Sequence, residues 1–289
     1  MQDEARANKR YKANKRPNAA FLSPTVPRSA FFRAKVASAG VQPLQQRLQD
    51  RALIGHLRCF DLLSGLPLTA LKEVAADTTL CTYRRGEFLW QRGDLAKHVV
   101  LIDSGFVKMT RRDRDGASKT YGLFGPGDSL GIFAFWAGMR YPSDAVALNR
   151  GVTLLVIDAI KLARLPERYP VLADRLQAGV IRFTEAFIDK IEIVSAGNIP
   201  QRLAMLMIQL VDRYGVNRSS EQAYLPLCLP LEQISEILGA RIETVARCLA
   251  QWKRAGWLST DAHGCHFTHL EKVRELLLNC NGDSVSRQS

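Results

Sequence analysis

The sequence predicts an α+β protein, in which one long helix joins a β-rich N-terminal part to a helical C-terminal part. Short β-rich runs punctuated by glycines extend from Ser64 to about Ile160, and an uninterrupted helical pattern follows from Val171 to Ser195. Two short amphipathic patterns then meet at Gly239. The 289 residues are enough for two modest domains, and 47% hydrophobic with 24% charged residues is ordinary for a globular protein.

The first 50 residues carry most of the basic excess of the chain. They hold ten Lys or Arg against three acids, whereas residues 226–280 hold six of each and the whole chain has a formal charge of +12. Little apolar periodicity occurs in this tail, which predicts disorder. A basic arm can attract nucleic-acid phosphates at low salt. A solvated extension without a role, or one that begins at an upstream start codon, would have the same composition.

The β-rich region predicts a small β-barrel or jelly roll. Its runs alternate with glycine-containing turns such as Arg85-Gly86-Glu87 and Gly125-Pro126-Gly127-Asp128, and glycines of this kind serve the corners between strands. The bulky stretch from Ile132 to Met139 is expected to fill the barrel core. Lining an apolar cavity is the alternative for this stretch.

The long helical pattern carries an apolar seam with heptad-like spacing. One barrel would cover only part of so long a stripe, so we expect two copies of the chain to pack along it. Packing on the chain's own domains is the alternative. The residues expected at the dimer interface are Leu176, Val180, Phe183, Phe187, Ile191 and Val194.

Residues 231–254 contain two short amphipathic patterns on either side of Gly239, which can take the positive φ that closes a tight turn. The first apolar face consists of Leu231, Ile234, Ile237 and Leu238. The second consists of Val245, Leu249 and Trp252, and the strip opposite it of Glu243, Ala246, Arg247, Ala250 and Arg254. These patterns predict a helix-turn-helix, and residues 256–268 then follow the pattern of a strand, a tight turn and a strand, as in a wing.

Glu243 and Arg247 suit the edges of base pairs in a major groove. A guanidinium can bond O6 and N7 of one guanine, and a carboxylate can accept a hydrogen bond from the N4 amino group of cytosine. The alternative is an exposed ion pair between residues four apart on a helix, worth about 0.3 kcal/mol.

The run Glu243-Thr244-Val245-Ala246-Arg247 matches the pattern Glu-Thr-(Val/Ile)-x-Arg. Here the sequence resembles the cyclic-AMP receptor and fumarate–nitrate regulator (Crp/Fnr) family of bacterial transcription factors, from about Asp61 to about Leu278. The resemblance implies a TTGA- or GTGA-like half-site, read by the matching Glu and Arg. Ile242 stands where the cyclic-AMP receptor branch has a further base-reading Arg, so the reading helix is closer to the fumarate–nitrate branch. The expected DNA-binding residues are Arg241, Glu243, Thr244 and Arg247.

The resemblance also tests the chain for a nucleotide pocket. The family binds a cyclic phosphate with an Arg and the ribose with a carboxylate, within a Gly-Glu and an Arg-Ser pair. Here Gly131-Ile132 and Tyr141-Pro142-Ser143 fall at those places, with Arg140 close but out of register. A phosphate buried there would keep an uncompensated charge, so we expect no cyclic AMP binding.

Other cofactors are judged from cysteine and histidine positions. The six cysteines form no Cys-x-x-Cys pair and none lies in the tail, which argues against an iron–sulfur cluster. His98 and Met139 leave haem open as a cofactor. Four possible metal ligands lie close together in the predicted wing. Neighbouring residues on a strand point to opposite faces, so we interpret the four as incidental and expect no metal site there. That group contains His263, Cys265, His266 and His269.

We therefore expect a transcription regulator in the cytoplasm, with double-stranded DNA and a second copy of the chain as partners and, by resemblance, RNA polymerase. No apolar run approaches the about 20 residues of a membrane-spanning helix. No arrangement typical of an enzyme is recognisable. The expected segments are a disordered basic tail (1–50), a β-barrel sensor domain (51–168), a dimerisation helix (169–197), a winged helix-turn-helix domain (198–280) and a C-terminal tail (281–289).

A regulator that binds a ligand or docks on a protein, without specific DNA readout, is the alternative function. The neutral charge balance of residues 226–280 favours it. So does Arg241, which stands where Ser, Thr or Asp would cap a helix better.

Overall fold

The structure is a computed structural model. It describes residues 52–113, 118–138, 140–149, 151–217, 219 and 221–278. The basic tail, Met139 and the C-terminal tail lie outside the described residues. A helical stretch at 52–58 and a 3₁₀ turn at Asp61–Leu63 lead into the barrel.

Two four-stranded antiparallel sheets form the barrel, which confirms the predicted jelly roll. The strands of the first sheet, ordered β1-β8-β3-β6, are β1 (Thr78–Tyr83), β3 (His98–Ser104), β6 (Ser129–Leu130) and β8 (Val152–Asp158). The strands of the second, ordered β2-β7-β4-β5, are β2 (Phe88–Trp90), β4 (Val107–Arg112), β5 (Ser118–Phe124) and β7 (Asp144–Ala147). Gly131 has a φ of +89°, and a Cβ there would lie 2.5 Å from the carbonyl oxygen of His98. The turn after β6 therefore requires glycine.

Helices cover the outer face of the first sheet, which explains why β3 is buried from Val99 to Ile102 on both faces. Leu71, Val99 and Leu172 belong to one apolar cluster. The barrel-associated helices are α1 (Leu68–Ala76), α2 (Ile132–Trp136), α3 (Ala159–Leu162), a 3₁₀ turn (Leu165–Glu167) and the start of α4 (Val171–Ser195).

The long helix α4 has the predicted limits and contributes to two cores. Leu176 near its start belongs to the cluster beneath the barrel, whereas Ile193 near its end belongs to the core of the C-terminal domain. Gly197, with a φ of +90°, lies two residues beyond the helix. The next helix is capped by Asn198 and Gln201, each bonding the backbone N–H of the other.

Within the described residues, the C-terminal domain combines four helices and four short strands, and it confirms the predicted helix-turn-helix and hairpin. Its strands pair in the order β11-β12-β10-β9, so that two strands that the sequence patterns did not predict extend the hairpin. Its elements after α4 are α5 (Ile199–Tyr214), β9 (Val216–Asn217), β10 (Ala223–Leu225), α6 (Leu231–Leu238), α7 (Ile242–Arg254), β11 (Leu258–Thr260), β12 (Cys265–Phe267) and α8 (Leu270–Leu278).

The six residues of the predicted dimer seam on α4 differ in how deeply they pack within their own chain. Leu176 is 3% exposed and packs in the chain's own core. Val180 also packs against that cluster. Phe183 stacks on Phe124 of the barrel at 5.6 Å between ring centroids, and Phe187 lies against Tyr121 at 6.5 Å. Aromatic side chains on β5 therefore cover this side of the helix.

A different stripe of α4 faces outward. Ile181 is 54% exposed, Ile188 is 51% exposed and Ile191 is 62% exposed. These residues follow one another at intervals of seven and three, which is the spacing of a heptad seam. Of the six residues expected at the dimer interface, Ile191 belongs to this outer stripe, and Val194 is half-buried.

A buried charge cluster joins the barrel to the C-terminal domain. The Glu236 carboxylate on α6 pairs with Lys108 Nζ of β4 at 3.0 Å, and it accepts hydrogen bonds from Ser118 Oγ at 2.9 Å and Thr120 Oγ1 at 2.8 Å. Lys108 is 9% exposed and Thr120 is 3% exposed. An aromatic contact also connects the two domains: the rings of Phe106 and of Tyr214 on α5 pack edge to face, with their centroids 5.2 Å apart.

Two further cations bond the end of α6. Lys190 of α4 donates to the carbonyl oxygen of Ile237, and Arg202 of α5 donates to that of Leu238 at 3.4 Å. Cations are favourable at a helix C-terminus. Burial lowers the pKa of Lys190 to about 8, against the opposing effect of Glu236. Helix α6 is thus held by β4 and β5 through Glu236 and by α4 and α5 at its end.

We expect Glu236→Ala to lower the free energy of unfolding by about 3 kcal/mol, because it leaves the buried Lys108 ammonium without its partner. Chemical denaturation would measure the change. Glu232→Ala is the matched control, since Glu232 is exposed on the same helix and its loss should cost less than about 0.5 kcal/mol. Equal effects of the two substitutions would contradict the proposed importance of the buried pair.

Candidate nucleic-acid interface

Helix α7 is oriented by its own buried face. Gly239 ends α6 with a φ of +62°, which turns the chain within a few residues into α7. Val245, Cys248 and Trp252 are then 0%, 5% and 4% exposed in the domain core. Cys248 joins the apolar face that the sequence pattern assigned to Val245 and Trp252. Because three successive turns are buried on one side, the opposite side of α7 faces outward.

The outward side of α7 carries most of the residues expected to contact DNA. Arg241, Glu243 and Arg247 are exposed, and Thr244 is half-buried. Within the described ranges, neither Glu243 nor Arg247 takes part in an ion pair at 4.0 Å or less, so no salt bridge occupies their polar atoms. The side chains are therefore free to meet another molecule.

The start and the end of α7 are also basic. Arg241 occupies the N-cap position with extended backbone and makes no side-chain cap, so its guanidinium is not needed to close the helix. Arg254 turns back on the helix, where its Nε donates to the carbonyl oxygen of Ala250 at 3.3 Å. Lys253 Nζ donates to Thr260 Oγ1 of the hairpin at 2.7 Å. This bond ties the end of the helix to the hairpin beside it.

One aspartate organises the turn of the hairpin. Asp261 accepts hydrogen bonds from the backbone N–H of His263 at 2.7 Å and of Gly264 at 2.8 Å, and it pairs with His266 Nε2 at 2.8 Å. The bond with His266, followed by the two backbone bonds, lowers the pKa of Asp261 to about 2. The ionised carboxylate of Asp261 therefore links both ends of the hairpin turn at neutral pH.

The suspected metal ligands of the hairpin do not converge. Cys265 is 5% exposed, His266 is engaged with Asp261, and His269 pairs with Glu271 at 3.3 Å. Among the described residues, the trio that brings ligand atoms within 4.8 Å of one another is instead Glu221, His269 and Glu271.

The expected place of a nucleotide in the barrel is a narrow crevice of about 10 Å³. Ile132 is 3% exposed and fills its floor. Helix α4 closes it from the other side, because a Cβ on Gly179 would lie 2.8 Å from Ile132 Cδ1. None of the described residues that line it is charged. The lining residues are Trp90, Met109, Ser129, Gly131, Ile132, Phe133, Ala134, Tyr141, Pro142, Gly179 and Phe183.

Stacked aromatic rings set the crevice wall. Trp90 and Tyr141 stack at 4.2 Å, Trp90 Nε1 donates to the carbonyl oxygen of Ser143 at 3.1 Å, and Tyr141 donates to that of His98 at 2.9 Å. Arg140 lies outside this wall, because it is exposed and donates to the carbonyl oxygen of Gly93 at 2.8 Å. The crevice therefore offers no guanidinium to a phosphate.

Haem binding would require His98 and Met139 as ligands. His98 lies in β3 opposite Asp158, where burial lowers the pKa of its imidazole. Met139 lies outside the described residues. Ligation of haem by these two residues stays a hypothesis.

Comparison with known proteins gives two family matches that together cover both domains. Residues 80–169 match the cyclic nucleotide-binding domain, and residues 201–276 match the Crp-like helix-turn-helix domain. The chain belongs to the Crp/Fnr family. Members of this family are transcription regulators with a DNA-binding helix-turn-helix domain. The expectation drawn from the motif at Glu243–Arg247 is thus confirmed at the level of the family.

Two named members of the Crp/Fnr family are similar to this chain over most of their own length. The CRP-like cAMP-activated global transcriptional regulator of Mycobacterium tuberculosis is 22% identical, over 73% of this chain and 94% of the relative. The fumarate and nitrate reduction regulatory protein of Escherichia coli is 28% identical, over 61% of this chain and 69% of the relative.

Solved structures show the same fold. FixK2 from Bradyrhizobium japonicum matches with a TM-score of 0.60 at 20% identity, covering 69% of this chain and 96% of that one. TTHB099 of Thermus thermophilus matches with a TM-score of 0.56 at 20% identity, covering 68% of this chain and 96% of that one. Among the described helices of this Crp/Fnr protein, none combines the length and the apolar character needed to cross a membrane.

We expect calorimetric titration with cyclic AMP at submillimolar concentration to show no binding. The reason is that the crevice is small, apolar and without a cation, so a phosphate entering it would lose its hydration without compensation. A micromolar dissociation constant that Arg140→Ala abolishes would contradict this account, because it would mean that Arg140 reaches the phosphate.

Proposed function

We propose that this Crp/Fnr protein is a homodimeric transcription regulator that reads a TTGA-like palindrome with α7. The observation that carries the proposal is that Glu243 and Arg247 are exposed on the outward face of that helix and form no ion pair with a described residue. Arg247 suits a guanine and Glu243 a cytosine in the major groove, with Thr244 and Arg241 beside them. Ile242 in place of a further arginine favours the half-site of the fumarate–nitrate branch.

The homodimer would form along the outer stripe of α4, defined by Ile181, Ile188 and Ile191. Three isoleucines that are each more than half exposed on one helix face favour burial against a partner. An antiparallel or parallel pairing of two such stripes would follow the knobs-into-holes geometry of a coiled coil. A palindrome requires two reading helices about 34 Å apart, which a two-fold dimer supplies.

The signal at the barrel is proposed to reach α7 through α6. Displacement of β4 or β5 acts directly on Glu236, and Glu236 lies on the helix that precedes the reading helix. The narrow crevice favours an effector other than a cyclic nucleotide. The absorption spectrum of the purified protein would test for haem. We further propose that the protein acts in the cytoplasm, with RNA polymerase as a partner and without enzymatic activity.

A regulator without specific DNA readout remains the second candidate. The balance of six basic and six acidic residues in 226–280 favours it, since a DNA-binding surface is usually basic overall. The two candidates differ in whether the sequence of the DNA matters to the affinity.

For the dimer, we expect Ile188→Asp to give a folded monomer, because it places two unpaired carboxylates in the apolar seam at a cost of several kcal/mol. Light scattering at micromolar concentration measures the mass. Ile160→Asp is the matched control, since Ile160 is 55% exposed on α3 of the barrel and Ile188 is 51% exposed. A dimeric Ile188→Asp protein would rule out this stripe as the interface.

For DNA reading, we expect Arg247→Ala to lower the preference for a TTGA-like palindrome over random DNA. The loss should be about 1–3 kcal/mol for each bidentate base contact, felt in both half-sites and concentrated at the guanine step. Fluorescence anisotropy with both duplexes measures it. Lys272→Ala removes one charge from exposed α8 and should leave the preference unchanged. If Arg247→Ala also leaves it unchanged, the assignment of the reading face is wrong.

A further inference from the structure

An open crevice of about 330 Å³ lies beside α7 in the DNA-binding domain. Its walls come from α7, through Ala246 and Ala250, and from the loop 226–230 that leads into α6. Two cysteines, Cys228 of that loop and Cys265 of β12, line the same crevice. The proposed reading of DNA by the outward face of α7 uses neither thiol.

Strand pairing brings the two thiols together. Leu225 of β10 lies opposite Cys265 of β12 in the antiparallel register. The chain then turns sharply, with the N–H of Leu227 bonded to the carbonyl oxygen of Leu225 at 2.7 Å. As a result the Cys265 thiol donates to the carbonyl oxygen of Leu227 at 3.4 Å, and Cys228 follows directly.

The two thiols differ in access to solvent. Of the two lining cysteines, Cys228 is exposed, whereas Cys265 is 5% exposed. Burial first, and then the neighbouring Cys228 thiol, raises the pKa of Cys265 to about 12. Cys228 is therefore the sulfur that a reagent meets, while Cys265 is a protonated neighbour within reach. An exposed thiol beside a second cysteine can be oxidised reversibly, because the second sulfur can capture the oxidised one as a disulfide.

We propose that Cys228 and Cys265 form a reversible oxidation site, at which a hydroperoxide produces a disulfide within the DNA-binding domain. The Cys228 thiolate attacks one peroxide oxygen, the O–O bond breaks, and the alkoxide leaves and takes up a proton as an alcohol. Cys228 is now a sulfenic acid. The Cys265 sulfur then attacks the Cys228 sulfur, the S–O bond breaks, and hydroxide leaves with the Cys265 proton as water. Two thiols are oxidised by two electrons and one hydroperoxide is reduced.

The disulfide would act on the reading helix. It ties the loop entering α6 to the hairpin strand β12, and both elements form the crevice along α7 with Ala246 and Ala250. Fixing these walls restricts the adjustment of α6 and α7 on a groove, so we expect oxidised protein to bind DNA roughly tenfold more weakly. This consequence rests on the proposed function, whereas the oxidation site does not.

The test uses the full chain with Cys59→Ser and Cys280→Ser. Cys59 is the other exposed cysteine among the described residues, and Cys280 lies outside them, so replacing both leaves Cys228 as the one exposed thiol of the described part of the chain. Treatment with hydrogen peroxide should remove two hydrogen atoms from the mass and give a peptide that links Cys228 to Cys265. Dithiothreitol should reverse both changes. Cys228→Ser, at an exposed position that tolerates serine, should abolish them.

Retention of both thiols after treatment, or a Cys228 sulfenic or sulfinic acid that accumulates without the link, would overturn the site. Anisotropy tests the consequence: the oxidised protein should lose affinity for the palindrome, and the Cys228→Ser variant should not respond. An unchanged affinity of the cross-linked protein would overturn the action on the reading helix. Absence of sequence-specific binding by the reduced protein would instead contradict the proposed function, since mapping of the disulfide requires no DNA.

Discussion

The buried pair of Lys108 and Glu236 is the interaction on which the arrangement of the two domains depends. A carboxylate that is largely shielded from water needs partners, and β4 and β5 supply a cation and two hydroxyl groups. These partners are available to it only while α6 lies on that sheet. Since α6 and α7 meet at Gly239, the position of the reading helix is coupled to the barrel. A shift in β4 or β5 would therefore be felt at Glu243 and Arg247, the side chains proposed to face DNA.

Much of the C-terminal domain could be predicted because its signals are local. The spacing of Val245 and Trp252 defines the buried face of α7, and Gly239 marks the turn before it. Because Val245 and Trp252 are buried on one side of α7, Glu243 and Arg247 on the opposite side face outward. The limits of α4 were also accessible, since Pro170 precedes its first residue and Gly197 lies just beyond its last.

The features that the sequence did not predict depend mostly on contacts between residues that are distant in the chain. Helix α4 is apolar on more than one face, so the sequence could not decide which face meets Phe124 and Tyr121 of its own barrel. The stripe through Ile181 and Ile188 also has heptad spacing, but it lacks the aromatic residues Phe183 and Phe187 that drew attention to the predicted seam. Glu236 and Lys108 are 128 residues apart, and no local pattern pairs them. Strands β9 and β10, at two and three residues, are too short for a period to appear.

The central claim is that two copies of this chain read one palindrome. Anisotropy of the full chain on a TTGA-like palindrome and on a scrambled duplex of equal length and composition, with the mass of each complex measured in parallel, tests it most directly. The account predicts two chains per palindrome and an affinity at least about a hundredfold higher than for the scrambled duplex at physiological salt. Equal affinity for both duplexes, or one chain per palindrome, would contradict it.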